Sequence, residues 1–141
     1  MVNTREPIFY HDTKTVIDEE EIIFTTDAVP AGYLCVLETA SIFARMTLGG
    51  FGVYAVLKTR YDGVDYDFAI PVSEVNSWID RITELNQDTV NKAFISNTPL
   101  KTYVGSACTI SITIKSTNPD TLISGSADVT LSGYLVLPAK L

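Results

Sequence analysis

Few residues in this sequence of 141 could carry out catalysis. The single histidine, His11, would have to serve any Ser-His-Asp or Cys-His site, and no G-x-S-x-G segment supplies a nucleophile. The two cysteines, Cys35 and Cys108, are far apart in sequence, without the close pairing that metal-binding cysteines show. We therefore expect free thiols, no catalytic site, no metal site and no cofactor.

Three carboxylates crowd the segment DGVDYD and raise the question of a calcium site, because hard cations bind clustered carboxylate oxygens. They are Asp62, Asp65 and Asp67, and their spacing does not match an EF-hand loop. Alternation along a strand places Asp65 and Asp67 on the same face. We expect that face to be hydrated.

The overall charge argues against two classes of partner. Ten Lys and Arg residues stand against seventeen Asp and Glu, which gives a net charge of -7 and no basic footprint for a phosphate backbone. No segment approaches the roughly 18 apolar residues of a membrane helix, and the start MVNTREPIFYHD lacks the features of a signal peptide. We expect a soluble protein that binds neither nucleic acid nor membrane.

The elements that must position these residues are strands, because polar and apolar residues alternate with period two. In ACTISITIK one face carries Cys108, Ile110, Ile112 and Ile114. The segments GVYAVLKTR and VDYDFAIPV form a predicted hairpin through Asp62-Gly63, a pair that suits a tight primed turn.

Three further segments are predicted strands: EIIFT, YLCVLETASIFARM and DVTLSGYLVLP. The second is too long for one flat strand, so we expect a bend near Glu38 and Thr39. In the third, Gly133 marks a bulge or a closely approaching neighbour. The predicted fold is all-β, an antiparallel two-sheet sandwich of jelly-roll type.

One segment departs from the alternation and follows the three- and four-residue spacing of an amphipathic helix. Its apolar residues are Val75, Trp78, Ile79, Ile82 and Leu85. Ser73 could cap the N-terminus. We expect one short inserted helix over about residues 74–86, with Trp78 in core or interface packing.

The start of the chain reads as an N-terminal arm over residues 1–15, followed by a single sandwich domain over residues 16–141. Polar positions surround the apolar cluster Ile8, Phe9 and Tyr10, and no turn pairs this cluster with the next strand. Such an arm packs either on its own domain or on a neighbour. Its three apolar residues and Trp78 are the candidate partner contacts.

Two segments resemble the small β-sandwich proteins encoded by bacteriophages and prophages. VPAGYLCVLETAS is similar to an early strand of these proteins, and PLKTYVGSACTISITIKSTNPDTLISGSADVTLSGYLVLP is similar to their last three strands. Together the two segments cover about half of the chain. Members with this appearance include jelly-roll decoration, or cement, proteins of capsids and sandwich domains of tails and fibres.

The resemblance implies a non-enzymatic structural virion protein, made in the host cytoplasm and located on the outer capsid surface. Its expected partners are the major capsid protein and further copies of itself, as a dimer or trimer. The alternative is a receptor- or carbohydrate-binding module of a tail or fibre, which would use exposed aromatic residues such as Tyr54, Tyr61 or Tyr103.

Overall fold

The computed structural model describes residues 6–47, 52–82 and 87–137, without the side chains of residues 76–91. The described segments contain nine strands, in chain order β1 (Glu6–Glu19), β2 (Glu21–Thr25), β3 (Leu34–Thr47), β4 (Val53–Tyr61), β5 (Val64–Ile70), β6 (Ser73–Ile82), β7 (Gln87–Val104), β8 (Ser111–Ser116) and β9 (Ile123–Val136).

The strands form two antiparallel sheets. Sheet A has five strands in the order β1-β9-β3-β7-β6, and sheet B has four in the order β2-β8-β4-β5. The pairings are nested about the β4–β5 hairpin: β3 pairs with β7, β2 with β8, and β1 with β9. The prediction of an all-β fold with two antiparallel sheets is confirmed.

A common core lies between the two sheets. Ile112 of β8 lies opposite Phe24 of β2 on one side and Leu57 of β4 on the other, and all three are fully buried. Sheet A covers this layer with side chains from its own inner face, among them Leu37, Ile42, Met46, Phe94 and Val129. The predicted alternation is confirmed over β8, where Ile112 and Ile114 are buried. Ile110 is also buried but precedes the strand, and Cys108 lies outside it and is partly exposed.

The predicted helix is wrong. Residues 73–82 form β6, which pairs with β7 at the edge of sheet A, and residues 83–86 lie outside the described part. Glu74 lies opposite Phe94 and Asn76 opposite Ala93, so Val75 is an extra, bulged residue. A bulge shifts the phase of the alternation. Apolar residues counted from Val75 therefore follow a spacing that also fits a helix.

The predicted hairpin is confirmed. Tyr61 of β4 lies opposite Val64 of β5, which leaves a two-residue loop between them. Asp62 and Gly63 both have positive φ, at 53° and 72°. Two consecutive residues of this kind are what a type I′ turn requires, and its twist matches that of the flanking strands.

The predicted bend in β3 is also confirmed. The register of β3 shifts between Leu37 and Thr39 against both of its neighbours. Glu38 is the bulged residue opposite β9, whereas opposite β7 the extra residue lies on β7. Gly133 of β9 lies opposite Leu37, and a Cβ there would approach the Val36 carbonyl oxygen to 2.1 Å. Any side chain at position 133 would collide with the bulged backbone.

Candidate interaction surface

The described part of the predicted arm, from Glu6 onward, is the outer strand of sheet A. It pairs with β9 without interruption from Glu6 opposite Leu135 to Val16 opposite Gly125. The register then shifts before Glu19, and Asp18 has a positive φ. This bulge lies near the end of β1, which continues to Glu19 before the chain passes to sheet B.

The candidate contacts Ile8, Phe9 and Tyr10 divide between the two faces of β1. Ile8 and Tyr10 are partly buried and pack against the main core. Phe9 points the other way and is 73% exposed, and Ile17 on the same strand is 77% exposed. Sequence reasoning grouped three consecutive residues as one cluster, whereas alternation along the strand leaves only Phe9 free for a partner.

Polar groups surround the middle of β1. Burial raises the pKa of the Tyr10 hydroxyl, and the charge of Asp12 and its hydrogen bond with Tyr10 raise that pKa further. The Thr13 backbone N–H donates to Asp12 Oδ1 at 2.9 Å, and the Thr13 hydroxyl donates to Asp128 of β9. Asp12 is therefore held by its own strand.

Lys14 covers the neighbouring edge of sheet B. Its Nζ donates to the Ile23 carbonyl oxygen at 2.5 Å and lies 5.5 Å from the centre of the Phe24 ring. A charged side chain over a strand edge blocks the approach of another strand. The short strand β2 is protected in this way.

The fourth candidate contact, Trp78, lies on β6, opposite Asn91 of β7. It is on the other edge strand of sheet A, with β9, β3 and β7 between it and β1. The structure does not bring Trp78 together with Ile8, Phe9 and Tyr10.

The outer face of sheet A carries an exposed aromatic group that sequence reasoning missed. Phe43 is 39% exposed, and the Arg45 guanidinium carbon lies 5.9 Å from the centre of its ring. The ring borders a shallow cleft of about 240 Å³ that is also lined by Ser41, Asn97 and Asp128. The alternation of Ser41, Phe43 and Arg45 with buried Ile42 and Ala44 was the available signal.

The three tyrosines named from the sequence have different environments. Tyr54, on the outer face of sheet B, is 44% exposed. Tyr61 and Tyr103 contact each other with ring centres 5.5 Å apart, and both pack against the small buried cluster that contains Val36. Of the three, Tyr54 is the one with an exposed ring.

The acidic hairpin lies beside an open groove of about 770 Å³. Arg60 forms an ion pair with Asp65 at 2.9 Å, and Lys58 lies opposite Asp67 across the two strands. These cations offset the carboxylates. Among the side chains that the structure describes, no three of His, Cys, Asp or Glu are grouped as a metal site would require.

The remaining reactive side chains lie apart from one another. His11 is exposed on β1, opposite Thr130. Both cysteines are free thiols. Cys108 lines the groove beside the acidic hairpin, whereas burial raises the pKa of the Cys35 thiol to about 11. Cys35 is fully buried in the core, and a protonated thiol is a poor nucleophile.

Comparison with protein-family models, with curated proteins and with solved structures gave no match. The described segments include no helix that is long and apolar enough to cross a membrane.

Proposed function

We propose that this protein is a non-enzymatic structural component of a bacteriophage particle. In this role it is a decoration, or cement, protein that binds the major capsid protein on the outside of the shell and associates with further copies of itself. Such a protein acts by burying complementary surfaces, and it turns over no substrate.

The observation that carries the proposal is the exposed edge strand β1. Phe9 and Ile17 project from it with 73% and 77% of their surface exposed. Large apolar groups held on a rigid strand are suited to binding another protein, because aromatic and aliphatic anchors contribute much of the energy of an interface. Assembly is the function that such a surface supports best.

The pairing of the strands supports the jelly-roll assignment within this proposal. In a jelly roll, a long antiparallel ribbon is folded at its middle and rolled into two facing sheets. The nested pairs β4–β5, β3–β7, β2–β8 and β1–β9 follow such a ribbon, and β6 is an added edge strand. The net charge of -7 suits a position on the outside of a shell, away from packaged DNA.

Binding to shells tests the proposal directly. Shells of the phage or prophage that encodes the chain, prepared without this protein, are mixed with the purified protein and sedimented. We expect saturable co-sedimentation and added density on the outer surface by electron microscopy. Phe9→Asp should weaken binding whether Phe9 contacts the shell directly or joins neighbouring copies bound to it, whereas Tyr54→Ser, at an exposed aromatic on sheet B, should not. Wild-type protein that stays in the supernatant at every concentration would refute the proposal.

A second candidate function is a receptor- or carbohydrate-binding module of a tail or fibre. The observation that favours it is the cleft beside Phe43, where an exposed ring adjoins Ser41, Asn97 and Asp128. Sugars stack on such rings and form hydrogen bonds with neighbouring polar groups. A glycan array distinguishes the two functions, because only this second one predicts hits that Phe43→Ala abolishes.

A further inference from the structure

We propose that β1 pairs antiparallel with β1 of a second copy of this chain, around a two-fold axis at Thr13. The two copies of sheet A would then form one continuous sheet of ten strands. This inference deepens the proposed assembly role by naming the partner of the exposed edge, and it is tested on purified protein without shells.

The backbone groups that face the open edge can be identified from the structure. Residues of an antiparallel edge strand alternate between those that bond to the inner neighbour and those that face outward. The Thr13 N–H donates to the Asp12 carboxylate, which shows that this group faces away from β9. Pro7 has no N–H and belongs to the same alternate set. The backbone groups of the odd-numbered residues of β1 therefore face the open edge, and the Thr13 N–H must leave Asp12 to bond to a partner strand.

Among the described edges, β1 is the one best suited to strand addition. It pairs regularly with β9 over residues 6–16, whereas β2 has five residues and is covered by Lys14. The outer strand β5 of sheet B carries the acidic residues Asp65 and Asp67, and β6 contains the bulge at Val75. Short and bulged edges resist pairing, whereas β1 pairs regularly for eleven residues before its own register shift after Val16.

The outer face of β1 is complementary to itself. In an antiparallel pair centred on Thr13, Phe9 lies opposite Ile17 of the second copy, and the symmetry repeats this contact on the other side of the axis. These are the two most exposed large apolar side chains among the described residues. Directly opposed aromatic and β-branched residues stabilise strand pairs. The two-fold axis therefore produces two Phe9–Ile17 contacts, which cover both exposed side chains in each copy.

The inner face of β1 selects the same axis. Centring on Thr13 places Asp12 opposite Lys14 of the second copy, so that opposite charges meet on both sides of the axis once Lys14 leaves the Ile23 carbonyl oxygen. An axis at residue 12 would place Asp12 against itself, and an axis at residue 14 would place Lys14 against itself. Like charges directly opposite each other destabilise a strand pair. The Asp12–Lys14 contacts therefore favour the same register as the Phe9–Ile17 contacts.

The mass of the purified protein gives the first test. Sedimentation equilibrium should show a concentration-dependent mass that approaches twice the 15.4 kDa of the monomer. Asp12→Lys and Lys14→Asp should each weaken the dimer by at least tenfold in dissociation constant, and the double variant should recover most of the loss. Circular dichroism melting reports whether each variant is folded.

A disulfide cross-link tests the register. Residue 13 lies opposite its own copy at a Cα separation of about 5.5 Å, within the range a disulfide can bridge. Two copies of residue 15 would be four residues apart along the strand, about 13 Å, which is too far. On a Cys108→Ser background, Thr13→Cys should form a covalent dimer under mild oxidation, and the matched control Thr15→Cys should not.

The outcomes separate this inference from the proposed function. A wild-type chain that stays monomeric at millimolar concentration, or equal cross-linking of the two cysteine variants, would overturn the pairing of β1. Shell binding by a monomeric protein would leave the decoration role intact while removing the dimer. A cross-linked dimer that binds no shell would retain the dimer and remove the decoration role.

Discussion

Replacing Gly133 by Ala should strongly destabilise the fold, although the change adds a single methyl group. Gly133 lies on β9, between β1 and β3, opposite the point where Glu38 bulges from β3. A Cβ at this position would lie 2.1 Å from the Val36 carbonyl oxygen and 3.0 Å from the Leu37 Cα. Both atoms belong to backbone, so no rotation of a side chain can relieve the contact.

The size of the effect follows from the distance. Ordinary contacts of a Cβ begin near 3.4 Å, so β3 and β9 would have to separate by more than an ångström at this point. β3 cannot move freely, because β7 holds its other side. Overpacking of a well-packed site costs about 1–3 kcal/mol, and the weakened ladder hydrogen bonds add to it. We expect a loss on the order of 3 kcal/mol, which corresponds to a melting temperature lower by roughly 10 °C.

Thermal and urea denaturation of matched variants measure this loss. The control is Gly52→Ala, because a Cβ at Gly52 would meet only the Thr117 side chain, at 3.7 Å, which is an ordinary contact. The control should melt close to the wild-type temperature. If Gly133→Ala also melted within about 2 °C of wild type, which for this size is less than 1 kcal/mol, the close approach at the bulge would be refuted.

Three other outcomes follow from burial and charge. Ile112→Asp should prevent folding, because an unpaired carboxylate in the core costs several kcal/mol. Thr113→Asp, on the opposite face of β8, should have a mild effect. Equal solubility and melting of the two variants would contradict the register of β8. Since the folded Cys35 keeps its proton up to a pKa of about 11 and an unfolded thiol loses it near 9.0, stability should fall by about 1.4 kcal/mol per pH unit between these values. Cys35→Ala should show a shallower decline over the same range, and an unchanged slope would exclude this thiol as its cause. In the native state at pH 8, a thiol reagent should modify Cys108 and leave Cys35 unmodified until denaturant is added, as mass spectrometry would show.

Features set by short-range chemistry could be predicted from the sequence. The Asp62-Gly63 turn depends on two adjacent residues that tolerate positive φ, and these are visible in the sequence. The bulge at Glu38 was expected from the length of the apolar segment, which exceeds that of one flat strand. In each case the physical cause lies within a few residues of its effect.

Features set by distant partners could not be predicted in this way. β1 pairs with β9, and Thr13 and Asp128, which lie opposite each other, are 115 residues apart in sequence. The inner face of β1 includes Asp12 and Lys14, which break the apolar alternation. These two polar residues lie at the open side of the sandwich, where Lys14 reaches the Ile23 carbonyl oxygen. A strand whose inner face is partly polar resembles an arm when its partner is unknown.

The candidate site was therefore predicted only in part. The apolar residues at the start of the chain were identified, but the division between buried Ile8 and Tyr10 and exposed Phe9 requires the knowledge that this segment is a strand. Ile17 was not identified, because only Val16 beside it is apolar and acidic residues follow. Its proposed contact with Phe9 of a second copy depends on a two-fold axis between two chains. The sequence of one chain does not show such an axis.

The nested pairing of the strands also sets the order in which the protein can form during synthesis. The β4–β5 hairpin needs only neighbouring residues and can close early. Sheet A cannot, because its second strand, β9, is made after all the others and must insert between β1 and β3. Until β9 leaves the ribosome, β1 and one side of β3 have no partner, and unpaired strands of this kind are prone to aggregation. A chain released before residue 123 is made would therefore lack β9, the strand that pairs with both β1 and β3.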